Sequence, residues 1–262
     1  ETRYHDMDAG WTRYVLETYG VAHTLLRPGD VVEADLAENF DVVIFPDADE
    51  NVLTKGKYES SGPYRVNDYR PEYRKGLGED GFKGLEAFIE KGGIVVAWGR
   101  STQLFFDGLT FGEGEDGMEI ELPVRDDAAQ LIEKGFYAPG SLLAVELNAD
   151  HPVTWGMPSQ FGVFTRGRPV LGTGVPKLIA DRRVLGVFPE EDILLSGYAE
   201  SVDLLAERPA MVWVRAGFGQ LVLFGFQPQF RASIPGTFKL VFNALILPKV
   251  RKGEAGVAGV YR

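Results

Sequence analysis

Two polar clusters directly follow apolar runs of the sequence, and each contains residue types that can take part in chemistry. Ser101 comes shortly after the run 94–98, and a sharp turn after a buried strand can expose a serine as a nucleophile. Such a serine needs a histidine base, and His151 is the histidine that an inserted segment could bring to it. This pair predicts a serine hydrolase. The alternative is that Ser101 or Thr102 caps a following helix.

The second cluster, residues 227–231, follows the apolar run 220–226 with the letters Gln-Pro-Gln-Phe-Arg. Open α/β sheets usually keep their ligand crevice at the carboxyl ends of the strands. Amides and an indole suit a neutral polar ligand or a peptide. The alternative is that Gln227 and Gln229 only satisfy main-chain groups of the loop. The sequence thus predicts a binding crevice from Asp47, Trp98, Arg100, Ser101, Gln227, Gln229 and Arg231.

The sequence predicts neither a metal site nor a cofactor. Its three histidines, His5, His23 and His151, do not have the spacing of zinc ligands. We expect His23 to be a packed core residue in a short strand over 22–26. A helix is predicted over 11–19 with Trp11, Val15 and Thr18 or Tyr19 on one face, and residues 5–8 are expected to be its solvated, acidic start. No Walker lysine and no G-x-G-x-x-G after a strand is present, and cysteine is absent.

The composition excludes several classes of partner. A net charge of -11 argues against nucleic acid, because phosphate binding needs clustered lysine and arginine. No apolar run approaches the roughly 20 residues of a membrane-spanning helix. A hydrophobic content of 45% is typical of a globular protein. Because the chain starts at Glu1 without a methionine, we expect it to be a piece of a longer protein rather than a processed product.

The apolar runs predict the elements that must position these side chains. Runs 210–215 and 220–226 are separated by a Gly-containing turn, which predicts a hairpin whose second strand is buried on both faces. The spacing over 237–247 predicts a helix. Strands over 41–47 and 94–99, with a helix over 79–91 between them, form a βαβ unit. The predicted fold is a three-layer α/β domain with a mainly parallel sheet.

The middle of the chain has a different pattern. Short apolar segments between about 105 and 200, such as 120–124, predict antiparallel strands, inserted in the sheet or lying at its edge, with a helix at 128–134. Residues 48–81 form a polar, Gly-rich loop in this interpretation. The domain is predicted to span 1–248, and the Gly-rich residues 249–262 are predicted to be a flexible tail.

The order of several short motifs resembles a known family. They are Asp-Met-Asp-Ala-Gly-Trp-Thr-Arg at 6–13, Phe-Asp-Val-Val-Ile-Phe-Pro-Asp at 40–47, Gly-Leu-Gly at 76–78, Leu-Ser-Gly-Tyr at 195–198, and 219–226 with Arg231. Together they resemble the C-terminal region of large bacterial zinc carboxypeptidases of the carboxypeptidase A-like family. That region is similar to class I glutamine amidotransferases, so the resemblance implies a flavodoxin or amidotransferase type of fold over most of 4–248.

The resemblance also implies that the amidotransferase triad is lost. The family's cysteine turn matches residues 99–101, and its His-Pro-Glu segment matches 227–229, where this chain has two amides. An amide does not accept a proton at neutral pH, so Gln227 cannot replace the histidine base. The peptidase's His-x-x-Glu pair is absent as well. In the resembled layout a first strand precedes the helix at Trp11, and only residues 2–5 of it remain.

The resemblance therefore implies a non-catalytic accessory domain of a zinc-carboxypeptidase-like protein. Its expected partners are the peptidase domain of the parent chain, a neutral polar or peptide ligand, and a second copy in a homodimer. Export with the parent enzyme, to the periplasm or the cell exterior, is the expected location. The serine hydrolase that uses Ser101 and His151 is the alternative function.

Overall fold

A computed structural model of the chain describes residues 1–4, 7–58, 70–112, 117–177 and 179–250. Six α-helices lie in these ranges: α1 Met7–Thr18, α2 Leu36–Asn39, α3 Glu50–Lys55, α4 Gly78–Glu90, α5 Ala128–Glu133 and α6 Pro235–Leu245. The strands of the same ranges are β1 Val42–Phe45, β2 Ile94–Trp98, β3 Leu109–Phe111, β4 Met118–Ile120, β5 Val124–Asp126, β6 Ser141–Leu147, β7 Gln160–Thr165, β8 Leu171–Thr173, β9 Ala180–Val187, β10 Leu194–Ser196, β11 Pro209–Ala216 and β12 Gly219–Phe224.

The main sheet has the strand order β1-β2-β12-β11-β9-β6-β10, and β7 pairs with β6. Strands β1, β2 and β12 are parallel, and the pairings from β12 outwards to β10 and β7 are antiparallel. The predicted α/β class, with parallel central strands and an added antiparallel segment, is confirmed. The antiparallel part continues directly from β12, so parallel pairing among the described strands is confined to these three.

The hairpin of β11 and β12 is confirmed, and β12 is buried at every position between β2 and β11. Gly219 begins this strand beneath α4. A Cβ at Gly219 would lie 2.3 Å from the main-chain oxygen of Ile89, so only glycine lets the helix pack this closely. The close packing places the start of β12 directly against α4.

Helices cover both faces of the sheet. Side chains alternate between the faces along β2, so Val95 packs with the α4 residues Leu85 and Phe88, whereas Val96 packs with Leu240 of α6. Each face carries an apolar cluster of its own. The layered arrangement leaves the carboxyl ends of β1, β2 and β12 at one edge, where the loops that follow them meet.

Several local predictions are wrong. No strand forms over 22–26, and His23 is exposed rather than packed in the core. Helix α1 begins at Met7, four residues before Trp11, and buries Ala9, Thr12, Val15 and Leu16. The apolar run 120–124 is divided between β4 and β5, because Pro123 has no N–H for a strand ladder. Helix α3 lies in the segment that was predicted to be a loop.

Other predictions lie outside what the structure tests. His5 and the tail from 251 onwards lie outside the described residues. The domain boundaries at 1–248 and the inserted character of 105–200 stay predictions. Within the described ranges, no helix is long and apolar enough to span a membrane.

Candidate functional site

The predicted crevice residues follow the carboxyl ends of β1, β2 and β12. Asp47 lies two residues after β1, Trp98 ends β2, and Gln227 lies three residues after β12. The ends of parallel neighbours meet at one edge of a sheet, so these three residues lie at the same edge. The centre of the resulting hydrogen-bond network, however, is Asp8 on α1.

Asp8 connects α1 to all three strand ends. Its Oδ2 accepts hydrogen bonds from the main-chain N–H of Asp47 at 2.9 Å and from Trp98 Nε1 at 2.5 Å. Its Oδ1 accepts a hydrogen bond from Gln229 Nε2 at 2.9 Å, and Gln229 also donates to Thr12 Oγ1 at 3.0 Å. A carboxylate that accepts from three donors forms strong, directional bonds. Asp8 therefore fixes the position of α1 on this edge.

Sequence reasoning missed this role of Asp8. The sequence predicts that residues 5–8 are a solvated acidic start of the helix. The available signal was the spacing of Asp8 and Thr12, which places both on one face of a helix four residues apart. That face is the buried one. The apolar spacing instead predicts a buried face that contains Trp11.

An ion pair between Arg100 and Asp47 lies at the end of β1. Arg100 donates to Asp47 Oδ1 from its main-chain N–H at 2.8 Å and from Nε at 3.1 Å, and its second guanidinium nitrogen lies 2.9 Å from Oδ2. Burial lowers the pKa of Arg100, but the hydrogen bonds and the charge of Asp47, with that of Asp49, outweigh burial and raise the pKa. The Asp47 side chain is 8% exposed and that of Arg100 is 42% exposed.

Ser101 is not accessible to a substrate, as a nucleophile would have to be. Its side chain is 0% exposed, and its Oγ lies within hydrogen-bond distance of the main-chain oxygens of Phe45, Pro46 and Trp98. The residue belongs to a 3-10 helix, Gly99–Phe105. Its hydroxyl donates to carbonyls at the ends of β1 and β2. The predicted capping role is wrong, because Trp98 is the N-cap of this helix and no side chain caps it, while the hydroxyls of Ser101 and Thr102 donate to main-chain carbonyls.

His151 occupies a different environment from Ser101. It is 1% exposed, its Nδ1 accepts a hydrogen bond from the N–H of Val153 at 3.3 Å, and its ring lies 5.1 Å from that of Trp213. Ser101 Oγ donates to main-chain carbonyls and makes no hydrogen bond to the imidazole of His151. Burial, with the charge of Arg183, lowers the pKa of His151 to about 4. A histidine with this pKa is a weak general base at neutral pH.

The pKa of His151 makes the protein less stable in acid. The ordinary value of 6.5 applies when the chain is unfolded, so below pH 6.5 the unfolded chain binds this proton more readily than the folded one does. We expect protonation of His151 to leave the free energy of unfolding unaffected above pH 6.5. As the pH falls from 6.5 to about 4, it should lower that free energy progressively, by about 3 kcal/mol in all. Urea unfolding at a series of pH values measures it.

The test for His151 is a difference between variants, because carboxylates also titrate in this range. His151→Asn keeps an oxygen that can accept from Val153 and should flatten the acid decline. His23→Asn, at an exposed position, is the matched control, and its free energy of unfolding should depend on pH as that of the wild type does. An unchanged profile in the His151 variant would show that this residue is not responsible.

Gln227 and Gln229 are almost fully buried, at 3% and 2% exposure. Gln229 satisfies a main-chain oxygen, that of Asp8 at 3.1 Å, which lies on α1 rather than in its own loop. The side-chain oxygens of both glutamines are buried and make no hydrogen bond with the described part of the chain. Gln229 thus satisfies a main-chain group, as the alternative to a ligand crevice predicts, but that group does not belong to its own loop. Unsatisfied buried oxygens are unusual and call for a donor.

An aromatic and cationic surface borders Gln227, and we call it the Phe230 platform: Phe164, Arg166, Phe230 and Arg231. Phe230 stacks on Phe164 of β7 at 3.5 Å and 11°. The guanidinium groups of Arg166 and Arg231 lie 5.6 Å and 5.3 Å from the Phe230 ring centre. Both arginines are exposed and make no ion pair within the described ranges. Sequence reasoning found Arg231 but missed Phe164 and Arg166, which a distant strand contributes.

The structure thus divides the predicted crevice residues into two groups. Trp98, Ser101, Gln227, Gln229 and the Asp47 side chain are buried, whereas Arg100 and Arg231 reach the surface. That these residues line a ligand crevice stays a prediction. Over the ranges that the structure describes, no cluster of three or more histidine, aspartate or glutamate side chains could hold a metal ion.

Comparisons with known proteins do not assign a family. No protein-family model and no curated protein matches the chain. Among solved structures, a ThuA-like protein from Bacteroides uniformis is 12% identical with a TM-score of 0.45, over 93% of this chain and 86% of that one. A cytoplasmic protein from Salmonella typhimurium LT2 is 11% identical with a TM-score of 0.48, over 92% and 86%.

A β-galactosidase from Bacillus circulans sp. alkalophilus is also similar, at 16% identity and a TM-score of 0.41. The match covers 81% of this chain but 23% of the galactosidase. At such identities and TM-scores, none of the three proteins bears on the function of this chain. The resemblance to the zinc-carboxypeptidase region stays a prediction.

Proposed function

We propose that this chain is a non-catalytic ligand-binding or interaction domain on a scaffold of the flavodoxin or class I amidotransferase type, from which the hydrolytic triad has been lost. The observation that carries the proposal is the state of Ser101. A nucleophile must be accessible to substrate and close to a base. Ser101 is fully buried and donates to carbonyl groups of the strand ends.

The surroundings of Ser101 support the same proposal. Asp47 and Asp8, the carboxylates nearest to the strand ends, are occupied by Arg100 and by the donors of Trp98 and Gln229. Both carboxylates therefore bind groups of the protein at the carboxyl ends of β1, β2 and β12. The buried His151, with its lowered pKa, is a poor base for the serine hydrolase alternative.

The Phe230 platform is the proposed ligand surface. Phe230 lies next to two arginines that make no ion pair with the residues the structure describes. This arrangement suits a peptide that carries a carboxylate, because a guanidinium can donate two parallel hydrogen bonds to a carboxylate. The ring supplies an apolar face for the adjoining side chain. Among the expected ligands, this chemistry favours a peptide over a neutral sugar.

The biological setting is proposed from the resemblance alone. In this proposal the domain accompanies a zinc-carboxypeptidase-like catalytic domain outside the cytoplasm, and it contacts that domain or a second copy of itself. Co-purification with the parent protein's peptidase domain would test the first contact. Sedimentation velocity would test the second.

The absence of serine hydrolase activity can be tested with a fluorophosphonate probe and a panel of activated esters. We expect no labelling and no turnover above that of the Ser101→Ala variant. Labelling of the wild type that is lost in both Ser101→Ala and His151→Asn would overturn the proposal and establish the hydrolase.

Binding to the Phe230 platform can be tested with a fluorescent peptide library that has free carboxyl ends. Arg166→Gln and Arg231→Gln should each weaken binding of a selected peptide about fivefold to tenfold, because each loses a charge-assisted hydrogen bond. Arg70→Gln, at a highly exposed position in a different region, is the matched control. Peptides whose affinity is the same in all three variants would show that the ligand binds elsewhere.

A further inference from the structure

An apolar part of the sheet beside the Phe230 platform is open to solvent, and we call it the Leu195 face: Leu142 of β6, Gly162 and Phe164 of β7, and Leu195 of β10. Leu142 lies directly opposite Phe164 in the pairing of β6 with β7. A Cβ at Gly162 would lie 3.2 Å from Cδ1 of Leu195, so the leucine side chain lies over this glycine. Leu195 is 51% exposed, and the other three residues are half-buried.

The Leu195 face is continuous with the Phe230 platform, because Phe164 belongs to both. Val163 is 0% exposed and lies in the core, and alternate residues of a strand point to opposite faces. Gly162 and Phe164 therefore lie on the outer face, and Phe230 stacks on Phe164 there. An elongated ligand can contact the platform and the Leu195 face together.

The two ends of this combined surface carry opposite charges. Arg166 and Arg231 of the platform form the positive end. At the other end, Glu146 of β6 lies opposite Gln160 of β7, and both side chains are exposed. Gln160 Nε2 donates to Glu146 Oε1 at 3.4 Å, and Glu146 makes no ion pair with the described part of the chain. A ligand that matches this surface carries a negative group, an apolar middle and a positive group, in that order.

The size of the surface matches a short peptide better than a folded partner. Residues 160–164 extend over about 13 Å, and the three strands β7, β6 and β10 are together about 14 Å wide. The area is thus about 200 Å², whereas a stable interface between folded proteins takes about 800 Å² from each partner. An extended peptide rises about 3.3 Å per residue, so about five of its residues reach from Phe164 to Gln160.

Both ends of the described chain lie away from this surface. The amino group of Glu1 donates to the main-chain oxygen of Leu26. Lys249 contacts Asp41, which precedes β1 and therefore lies at the opposite end of the sheet from the platform. This placement favours an occupant that belongs to a separate molecule.

We propose that the Phe230 platform and the Leu195 face together bind the extended carboxyl-terminal segment of a separate polypeptide. Its terminal carboxylate contacts Arg166 and Arg231, and its last side chain packs on Phe230. Every second side chain of an extended peptide points the same way. The side chain two residues before the end therefore lies over Leu195 and is apolar, and the side chain four residues before the end reaches Glu146 and is lysine or arginine. This inference rests on the proposed function, because it takes the platform as the carboxylate site.

The probe is the peptide Gly-Gly-Lys-Ser-Leu-Ser-Phe, with fluorescein at its amino end and a free carboxyl end. We expect saturable binding to the full chain in fluorescence anisotropy. The same peptide with a carboxyl-terminal amide should bind at least tenfold more weakly, and replacing its leucine with serine should weaken binding about fivefold. Leu195→Ser in the protein, at a half-exposed position, should weaken binding of the leucine probe by a similar factor.

A charge exchange tests the contact with Glu146 directly. Glu146→Lys should weaken binding of the lysine probe about tenfold, because it places two like charges together. A probe with glutamate in place of lysine should bind the wild type weakly and the Glu146→Lys variant about as well as the original pair binds. Glu33→Lys, at another exposed position, is the matched control and should leave the affinities of both probes unchanged.

The outcomes separate this inference from the proposed function. If binding needs the free carboxyl end but is the same in Leu195→Ser and shows no charge exchange at Glu146, the peptide binds the platform alone and the inference is wrong. If the amide probe binds as well as the free acid, the carboxylate site itself fails, and both proposals fall. A micromolar dimer in sedimentation velocity that Leu195→Ser dissociates would assign the Leu195 face to a second copy and overturn the inference.

Discussion

Replacing Asp8 with alanine should lower the free energy of unfolding by about 3 kcal/mol, which is a large effect for one residue of a surface helix. The substitution leaves the N–H of Asp47, the indole N–H of Trp98 and the amide of Gln229 without their shared acceptor. Each donor lost from a charged acceptor costs about 1 to 3 kcal/mol where water cannot replace it, and partial access of water limits the sum. Urea unfolding followed by tryptophan fluorescence measures the change.

Glu17→Ala is the matched control for the Asp8 experiment, because it removes a carboxylate from the same helix at a position where the side chain is 61% exposed. We expect a change below about 0.5 kcal/mol there. Asp8→Asn keeps the shape but presents an NH₂ group to converging donors, so it should restore only part of the loss. Equal effects of Asp8→Ala and Glu17→Ala would mean that the network contributes nothing beyond an exposed charge.

Replacing Gly99 with alanine should lower the free energy of unfolding by about 3 kcal/mol as well. Gly99 has a φ of +61°, which costs an L-residue about 1 kcal/mol. A Cβ at this position would also lie 2.3 Å from Oδ1 and 2.8 Å from Cβ of Asp47. The carboxylate would have to move away from Arg100, which weakens their ion pair and adds about 2 kcal/mol of packing strain.

Gly20→Ala separates the two causes. Gly20 has a φ of +69°, but a Cβ there would have no atom within 4 Å. Its replacement should therefore cost only the backbone term of about 1 kcal/mol. If both variants lose the same stability at an unchanged m-value, Asp47 accommodates the methyl group freely and the contact with Gly99 is unimportant.

The elements whose patterns were strongest could be predicted from the sequence. The hairpin of β11 and β12 has two β-branched and aromatic runs around a glycine turn, and β12 is apolar from Leu221 to Phe224, where both its faces are covered. Helices α4 and α6 begin within two residues of the predicted positions. Local periodicity suffices in these cases, since neighbouring residues along the chain produce the whole signal.

The segment 22–26 shows where periodicity fails. Its apolar run predicts a strand, but a strand needs a neighbour to receive its main-chain hydrogen bonds. The edge strand β1 lies across a cavity of about 500 Å³ instead of alongside the segment. Sequence patterns report the preference of a segment and not the presence of its partner.

The candidate site also has some features that the sequence predicts and others that only the tertiary structure shows. That polar residues after β1, β2 and β12 meet at one edge follows from the sequence, because parallel strands bring their carboxyl ends together. The loss of cysteine and the amides at 227 and 229 were also evident from the sequence alone. These are statements about residue identity and strand order, and neither requires a distance.

Only the tertiary structure decided which groups bond and which are accessible. It placed Asp8 at the centre of the network, buried Ser101 under main-chain carbonyls, and brought Phe164 and Arg166 beside Phe230. Apart from the contact of Ser101 with Trp98, these contacts join residues that are from 39 to 221 positions apart in the chain. Their geometry depends on how the helices and loops pack on the sheet, and the local preference of a sequence contains no information about that packing.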